Sequence, residues 1–260
     1  MTLKLGFIGT GTISAAFIHG VSRAWGDGNE IVVSPRSAEV SENLAQRYRW
    51  VRRAESNQQV VDASDIVFLG VMPHQVGEVI GALKLREGQI VVSFLAGVDV
   101  ATLQGLAGPN VQVCRVTPLP PVAHLEGPVM LYPALGQVRQ LVAPLGVPIE
   151  PESDAAMAAL SNASGLMSSF FRMAQEAVDW LEARDLPRAQ ARDYVMAMFA
   201  ALAQTALRHD PATLAAMPRE HETPGGINEA CREYLEQQGW FAEFARAMDA
   251  IDARARSLSD

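Results

Sequence analysis

Gly9-Thr10-Gly11-Thr12-Ile13 follows directly on the apolar run Leu5–Ile8 and leads into Phe17, Ile18 and Val21 at helical spacing. Strand, glycine turn, helix is the order that binds the pyrophosphate of a dinucleotide. Gly9 permits the tight turn. Gly11 has no Cβ, so a pyrophosphate can approach the backbone, and the N–H groups at the helix start meet its negative charge. Ser14 stands where the pattern has its third glycine, and a small residue still allows close helix–strand packing. A second test lies one βαβ unit on. Glu30–Val33 reads as the next strand, and where an NAD site would carry an acid for the ribose 2′-hydroxyl this chain has Ser34-Pro35-Arg36-Ser37. Arg36 offers a planar fork of donors between two hydroxyls, with no carboxylate to repel a 2′-phosphate. The expected cofactor is NADP(H).

These groups need a sheet to hold them. Apolar runs at Leu5–Ile8, Glu30–Val33, Ile66–Val71, Gln89–Phe94, Val111–Val116 and Gly127–Tyr132 read as strands. Helical stretches between them run over Ala38–Tyr48, Gln75–Leu83 and Val100–Leu106. The alternation predicts an α/β fold with a doubly wound, Rossmann-type parallel sheet, in which ligands lie at the carboxyl ends of the strands. That places Val71-Met72-Pro73, Ala96-Gly97 and Arg115 to Pro118 at the nicotinamide end of the cofactor. The run Gly146–Pro151 reads as a linker. The expected division is a dinucleotide-binding domain over residues 1–150 and an all-α domain over residues 151–260. In the second part the periodicity predicts one helix over Ser153–Ala183, another from Pro187 to about Leu207, and a last one from Ile227 to the C-terminus. Their apolar faces are broad for so short a segment, so a homodimer built from these helices is expected.

Composition narrows the rest. The chain has 260 residues, 49% of them apolar, with a net charge of −8 and no Lys/Arg-rich tract, which argues against a nucleic-acid partner. No apolar run approaches a membrane span, and no signal peptide is expected before the first strand. Cys114 and Cys231, the two cysteines, have no metal or redox spacing. They are expected as reduced thiols in a cytoplasmic protein. The five histidines form no ligand pattern, so no metal site is expected.

Several segments, in order and over essentially the whole chain, resemble the pyrroline-5-carboxylate reductase family. Gly9-Thr10-Gly11-Thr12-Ile13 is similar to its phosphate loop, and Gly70-Val71-Met72-Pro73-His74 to its Ala-Val-Lys-Pro segment. Ser93-Phe94-Leu95-Ala96-Gly97-Val98 resembles Ser-x-x-Ala-Gly-Val, and Arg115-Val116-Thr117-Pro118-Leu119-Pro120-Pro121 resembles Arg-x-Met-Pro-Asn-Thr-Pro. Leu186-Pro187-Arg188 is similar to the start of a dimer-domain helix, and Thr223-Pro224-Gly225-Gly226-Ile227-Asn228 to Ser-Pro-Gly-Gly-Thr-Thr. The resemblance implies reduction of a cyclic imine to proline with NAD(P)H. It implies that Thr223, Pro224, Gly225, Gly226 and Asn228 hold the substrate, its carboxylate lying on free backbone N–H groups near the nicotinamide of a neighbouring subunit.

The departures cluster around that pocket. Asn228 stands at the family threonine that bonds the ring nitrogen, and an amide has no useful pKa as a proton donor. Met72 replaces a lysine, Leu119 an asparagine, and Glu222 a Ser or Thr. Ser161–Met167 replaces Ser-Gly-Ser-Gly-Pro-Ala-Tyr. The candidate catalytic residues are therefore Asn228 and His221, His221 being either a general acid or an exposed loop histidine. Arg115 is open to two uses, a phosphate contact or a structural ion pair. Reduction of another imine or carbonyl, or NADPH binding without turnover, stays open beside the leading reading.

Overall fold

The computed structural model describes residues 3–257. They fall into two compact units that divide after Leu160. The first holds β1 (Leu3–Ile8), α1 (Thr12–Trp25), β2 (Asn29–Val33), α2 (Ala38–Arg47), β3 (Val51–Arg53), α3 (Asn57–Asp62), β4 (Ile66–Leu69) and α4 (Val76–Gly81). It continues through β5 (Ile90–Ser93), α5 (Val100–Ala107), β6 (Gln112–Pro118), β7 (Pro128–Tyr132), α6 (Gly136–Val142) and β8 (Val147–Ile149) into α7 (Asp154–Ala163), within which the division falls. The strands form one sheet in the order β3-β2-β1-β4-β5-β6-β7-β8. β1 to β6 run parallel, β7 is antiparallel to β6, and β8 is parallel to β7. The expected doubly wound sheet is present, with one antiparallel pair in it.

Two strands lie where none was expected. β3 and β8 are three-residue edge strands, and an edge needs no apolar run on both faces. Arg52 and Arg53 put charge on one edge. On the other, Pro148 makes the Gly146–Pro151 run read as a linker, yet an edge strand tolerates proline.

Alternation along β1 sends Leu5 and Phe7 to one face and Ile8 to the other. Phe7 pairs in register with Phe68 of β4, and their rings stack with centroids 4.6 Å apart. Phe17 of α1 and Phe94 after β5 close over this pair. The aromatic cluster anchors α1, and so the turn in front of it, to the centre of the sheet. Cys114 lies in the same core as a free thiol, and burial pushes its pKa up to about 12.

The second unit holds α8 (Met167–Glu182), α9 (Arg188–Arg208), α10 (Met217–Glu220), α11 (Ile227–Gln237) and α12 (Trp240–Ser257). Two expected helices are broken. The Ser153–Ala183 helix is interrupted at Ser164–Leu166 by a 3-10 turn. There the Ser164 hydroxyl donates to the Ser161 carbonyl at 2.6 Å, and Ile251 packs so closely that a Cβ on Gly165 would lie 3.0 Å from its Cδ1. The last helix breaks at Gly239, whose φ of 71° belongs to the left-handed region that ends helices. The buried core of this unit is small: Ala174, Val178, Ala191 and Val195. Phe171, Trp180, Tyr194, Leu207 and Ile227 are each more than half exposed. Among the described residues no helix is long and apolar enough to cross a membrane, and no cluster of His, Cys, Asp and Glu could hold a metal ion.

Candidate functional site

The strand order reverses direction between β1 and β4, and the loops at the carboxyl ends of these two strands meet there. Gly9 adopts φ 91°, and a Cβ on it would lie 2.5 Å from the Gly70 carbonyl oxygen. Glycine at both positions lets the two loops touch backbone to backbone. Gly70 also makes room for Ser14, since a Cβ there would lie 2.1 Å from the Ser14 Oγ. The space that a third motif glycine supplies elsewhere is thus supplied here by the facing strand.

Gly11 is the N-cap of α1, it is exposed, and no side chain caps the helix. A Cβ on Gly11 would meet nothing within 4 Å, so the approach to the first-turn N–H groups is open. Thr10 is fully buried, and its Oγ1 has no hydrogen-bond partner. An open, positively polarised helix end behind two glycines suits a pyrophosphate. Thr12 is exposed and Ile13 half-buried on the first turn.

At the end of β2 the two hydroxyls have different situations. Ser34 is fully buried, and its Oγ accepts a hydrogen bond from the Gly9 N–H at 2.9 Å. It therefore ties the glycine turn to β2 and is not a surface hydroxyl. Ser37 is half-buried at the N-cap of α2, and its side chain makes no cap bond. Arg36 is exposed. Further along the same edge of the sheet, Val71 is half-buried while Met72, Pro73, Ala96 and Gly97 are exposed.

Arg115 and Pro118 differ from the expectation that both face the cofactor. Pro118 is buried. Arg115 is 5% exposed and donates through Nη1 to Asp154 Oδ1 at 2.5 Å, while Asp154 Oδ2 accepts from the Val100 N–H at 3.1 Å. Of its two possible uses, Arg115 serves the ion pair. A buried guanidinium demands a carboxylate, and the carboxylate comes from a helix 39 positions away in the chain, too far for spacing to reveal.

In the second unit the Thr223–Gly226 turn leads into α11, with Gly226 as an uncapped N-cap and Gly225 at φ 71°. Its exposed donors are partly engaged: the Gly225 N–H donates to Glu229 Oε2 at 2.6 Å. Asn228 Nδ2 donates to the His221 carbonyl at 2.8 Å, so its amide holds the loop. The His221 ring contacts the Met217 carbonyl through Nδ1 at 2.8 Å. A carbonyl only accepts, so Nδ1 carries the hydrogen and Nε2 is free to carry another. Glu222 does not press on the turn. It pairs with Arg232, the two side chains being 8% and 14% exposed, and Arg232 also donates to Glu236 Oε2 at 2.7 Å. His221, Glu222, Asn228 and Arg232 line a cleft of about 630 Å³ walled by Met198 and Phe241.

The Arg232 hydrogen bond and charge hold the Glu222 carboxyl below its usual pKa. A carboxylate with a lowered folded pKa stabilises the fold above the usual carboxylate range and loses that contribution as pH falls through the folded value. Acidification from about pH 6 to about pH 3 is therefore expected to lower the urea midpoint more steeply in the wild type than in Glu222→Gln. Equal slopes would show that the pair contributes nothing.

The family described as NADP oxidoreductase, coenzyme F420-dependent, matches residues 4–97, and the pyrroline-5-carboxylate reductase dimerisation family matches residues 154–258. A pyrroline-5-carboxylate reductase of Corynebacterium melassecola is 30% identical, with 96% of this chain and 97% of the relative covered. That of Pseudomonas aeruginosa is 27% identical over 100% of this chain and 98% of its own. A Plasmodium falciparum pyrroline carboxylate reductase solved with NADP bound shares the fold, with TM-score 0.82, 18% identity, and 99% and 98% of the two chains covered. With the glycine turn at the head of one unit, the Pro-Gly-Gly turn in the other, and relatives aligned end to end across both, the chain belongs to the pyrroline-5-carboxylate reductase family.

Proposed function

We propose that this chain is a cytoplasmic, homodimeric oxidoreductase that reduces the C=N bond of pyrroline-5-carboxylate to give proline, with NADPH as reductant. The observation that carries the reading is the open Gly11 N-cap at the sheet's switch point, backed by the Gly9–Gly70 contact. Gly9, Thr10, Gly11, Thr12 and Ile13 would hold the pyrophosphate and Arg36 the 2′-phosphate. Val71, Met72, Pro73, Ala96 and Gly97 would border the nicotinamide. NADPH supplies the hydride when bound. The protein's share is position and charge.

Thr223, Pro224, Gly225 and Gly226 take the substrate carboxylate, which replaces Glu229 on the Gly225 N–H. Asn228 keeps the loop in place through the His221 carbonyl, and its Oδ1 can accept from the ring nitrogen. His221, whose Nδ1 is engaged by the Met217 carbonyl, presents Nε2 as the side-chain group of this loop that can exchange a hydrogen bond with the substrate. The small core of the second unit, which leaves large apolar side chains exposed, supports the homodimer. Purified protein given NADPH and pyrroline-5-carboxylate is expected to lose reduced-nicotinamide absorbance and form proline. Absence of turnover with this imine alongside tight NADPH binding would overturn the reading.

A further inference from the structure

Arg53 occupies a place in the cofactor half that the sequence motif does not point to. It ends the edge strand β3, opposite Val33 in the register with β2. Its Nη2 donates to the Pro35 carbonyl at 3.1 Å, so its guanidinium lies against the peptide that joins Pro35 to Arg36. Its Nη1 donates to Glu42 Oε1 of α2, also at 3.1 Å. The side chain is 36% exposed, and that of Glu42 is 54% exposed. Arg36 itself is exposed and has no hydrogen-bond or ion-pair partner among the described residues. Two guanidinium groups thus flank one loop, one of them free and one engaged by a single exposed carboxylate.

We infer that Arg53 is a second cation of the 2′-phosphate subsite, held by Glu42 until the phosphate arrives. The inference rests on the NADP(H) reading above. An exposed ion pair is weak, because water competes for both charges. A phosphate monoester carries more charge than a carboxylate and accepts the planar guanidinium fork at least as well. Arg53 can therefore leave Glu42 while keeping its bond to the Pro35 carbonyl. Arg36 and Arg53 would then share the 2′-phosphate, and Glu42 would act as its competitor.

Calorimetric titration of NADP+ and NAD+ into the intact protein tests this without reference to turnover. Arg53→Ala is expected to weaken NADP+ about tenfold and NAD+ less than about twofold. Glu42→Gln, a change at an exposed position, is expected to tighten NADP+ about threefold and to do nothing once Arg53 is alanine. If Arg53→Ala weakens both dinucleotides alike, the residue only props the loop and the inference falls. It falls also if Glu42→Gln leaves NADP+ affinity unchanged, or tightens it in the Arg53→Ala background. A wild type that binds NAD+ as tightly as NADP+ would instead remove the cofactor reading beneath it.

Discussion

Valine at position 11 is expected to leave the melting temperature within about 4 °C of wild type while weakening NADPH binding by about a hundredfold or more. The two effects separate because of where Gly11 lies. Its backbone, φ −71° and ψ −177°, is one that any L-residue adopts, and a Cβ there meets nothing within 4 Å. The protein's own packing therefore does not require glycine, and the remaining cost is the poorer N-cap preference of valine, about 1 kcal/mol. A bound pyrophosphate does require it, since a side chain at the N-cap stands between the phosphate and the first-turn N–H groups. Gly9→Ala gives the contrast. At φ 91°, with the Gly70 carbonyl oxygen 2.5 Å from the added carbon, it should lose stability and binding together. Calorimetric unfolding and NADPH titration on both variants check the pair. Unimpaired NADPH binding by Gly11→Val would mean that the nucleotide does not cross this helix end.

Asp154→Ala should cost about 3–5 kcal/mol of stability, because it strands a buried charge. Arg115 is 5% exposed, and its Nε already lacks a partner. Asp154 supplies its Nη1 with an acceptor and also receives the Val100 N–H at the start of α5. One carboxylate therefore ties the middle of β6, the start of α5 and the start of α7 together. Removing it leaves a guanidinium that can neither lose its proton nor reach water easily. Replacing Arg115 by methionine in the Asp154→Ala background should recover part of the loss, since an apolar side chain needs no counter-charge. Urea denaturation of the single and double variants is the measurement. A loss below about 1 kcal/mol in Asp154→Ala would show that water reaches Arg115 and that the pair behaves as a surface bridge.

The dinucleotide turn and the Pro-Gly-Gly turn were legible in the sequence because each is a local device. Gly9-x-Gly11 and Pro224-Gly225-Gly226 state their backbone geometry through glycine and proline within a few residues. The central strands were legible because, buried on both faces, they read as continuous apolar runs. The partners of the charged groups were hidden. Arg232 bonds Glu222 across the turn as well as Glu236 along its own helix, and only the second contact has a helical spacing. Glu229, three residues into α11, lies on the Gly225 N–H, so the donor expected to be free for substrate is held by the chain itself.

Residue order alone thus determined the glycine turn, the alternation of strands and helices, and the arginine where an NAD site would carry an acid, since each depends on neighbours in the chain. Tertiary structure alone decided that Ser34 braces Gly9, that Arg115 answers Asp154, that Glu222 faces Arg232 and that Arg53 leans on the loop carrying Arg36. The physical reason is range. Backbone conformation follows from local sterics, whereas a buried or half-buried charge takes whichever opposite charge the folded chain brings within reach, however distant in sequence.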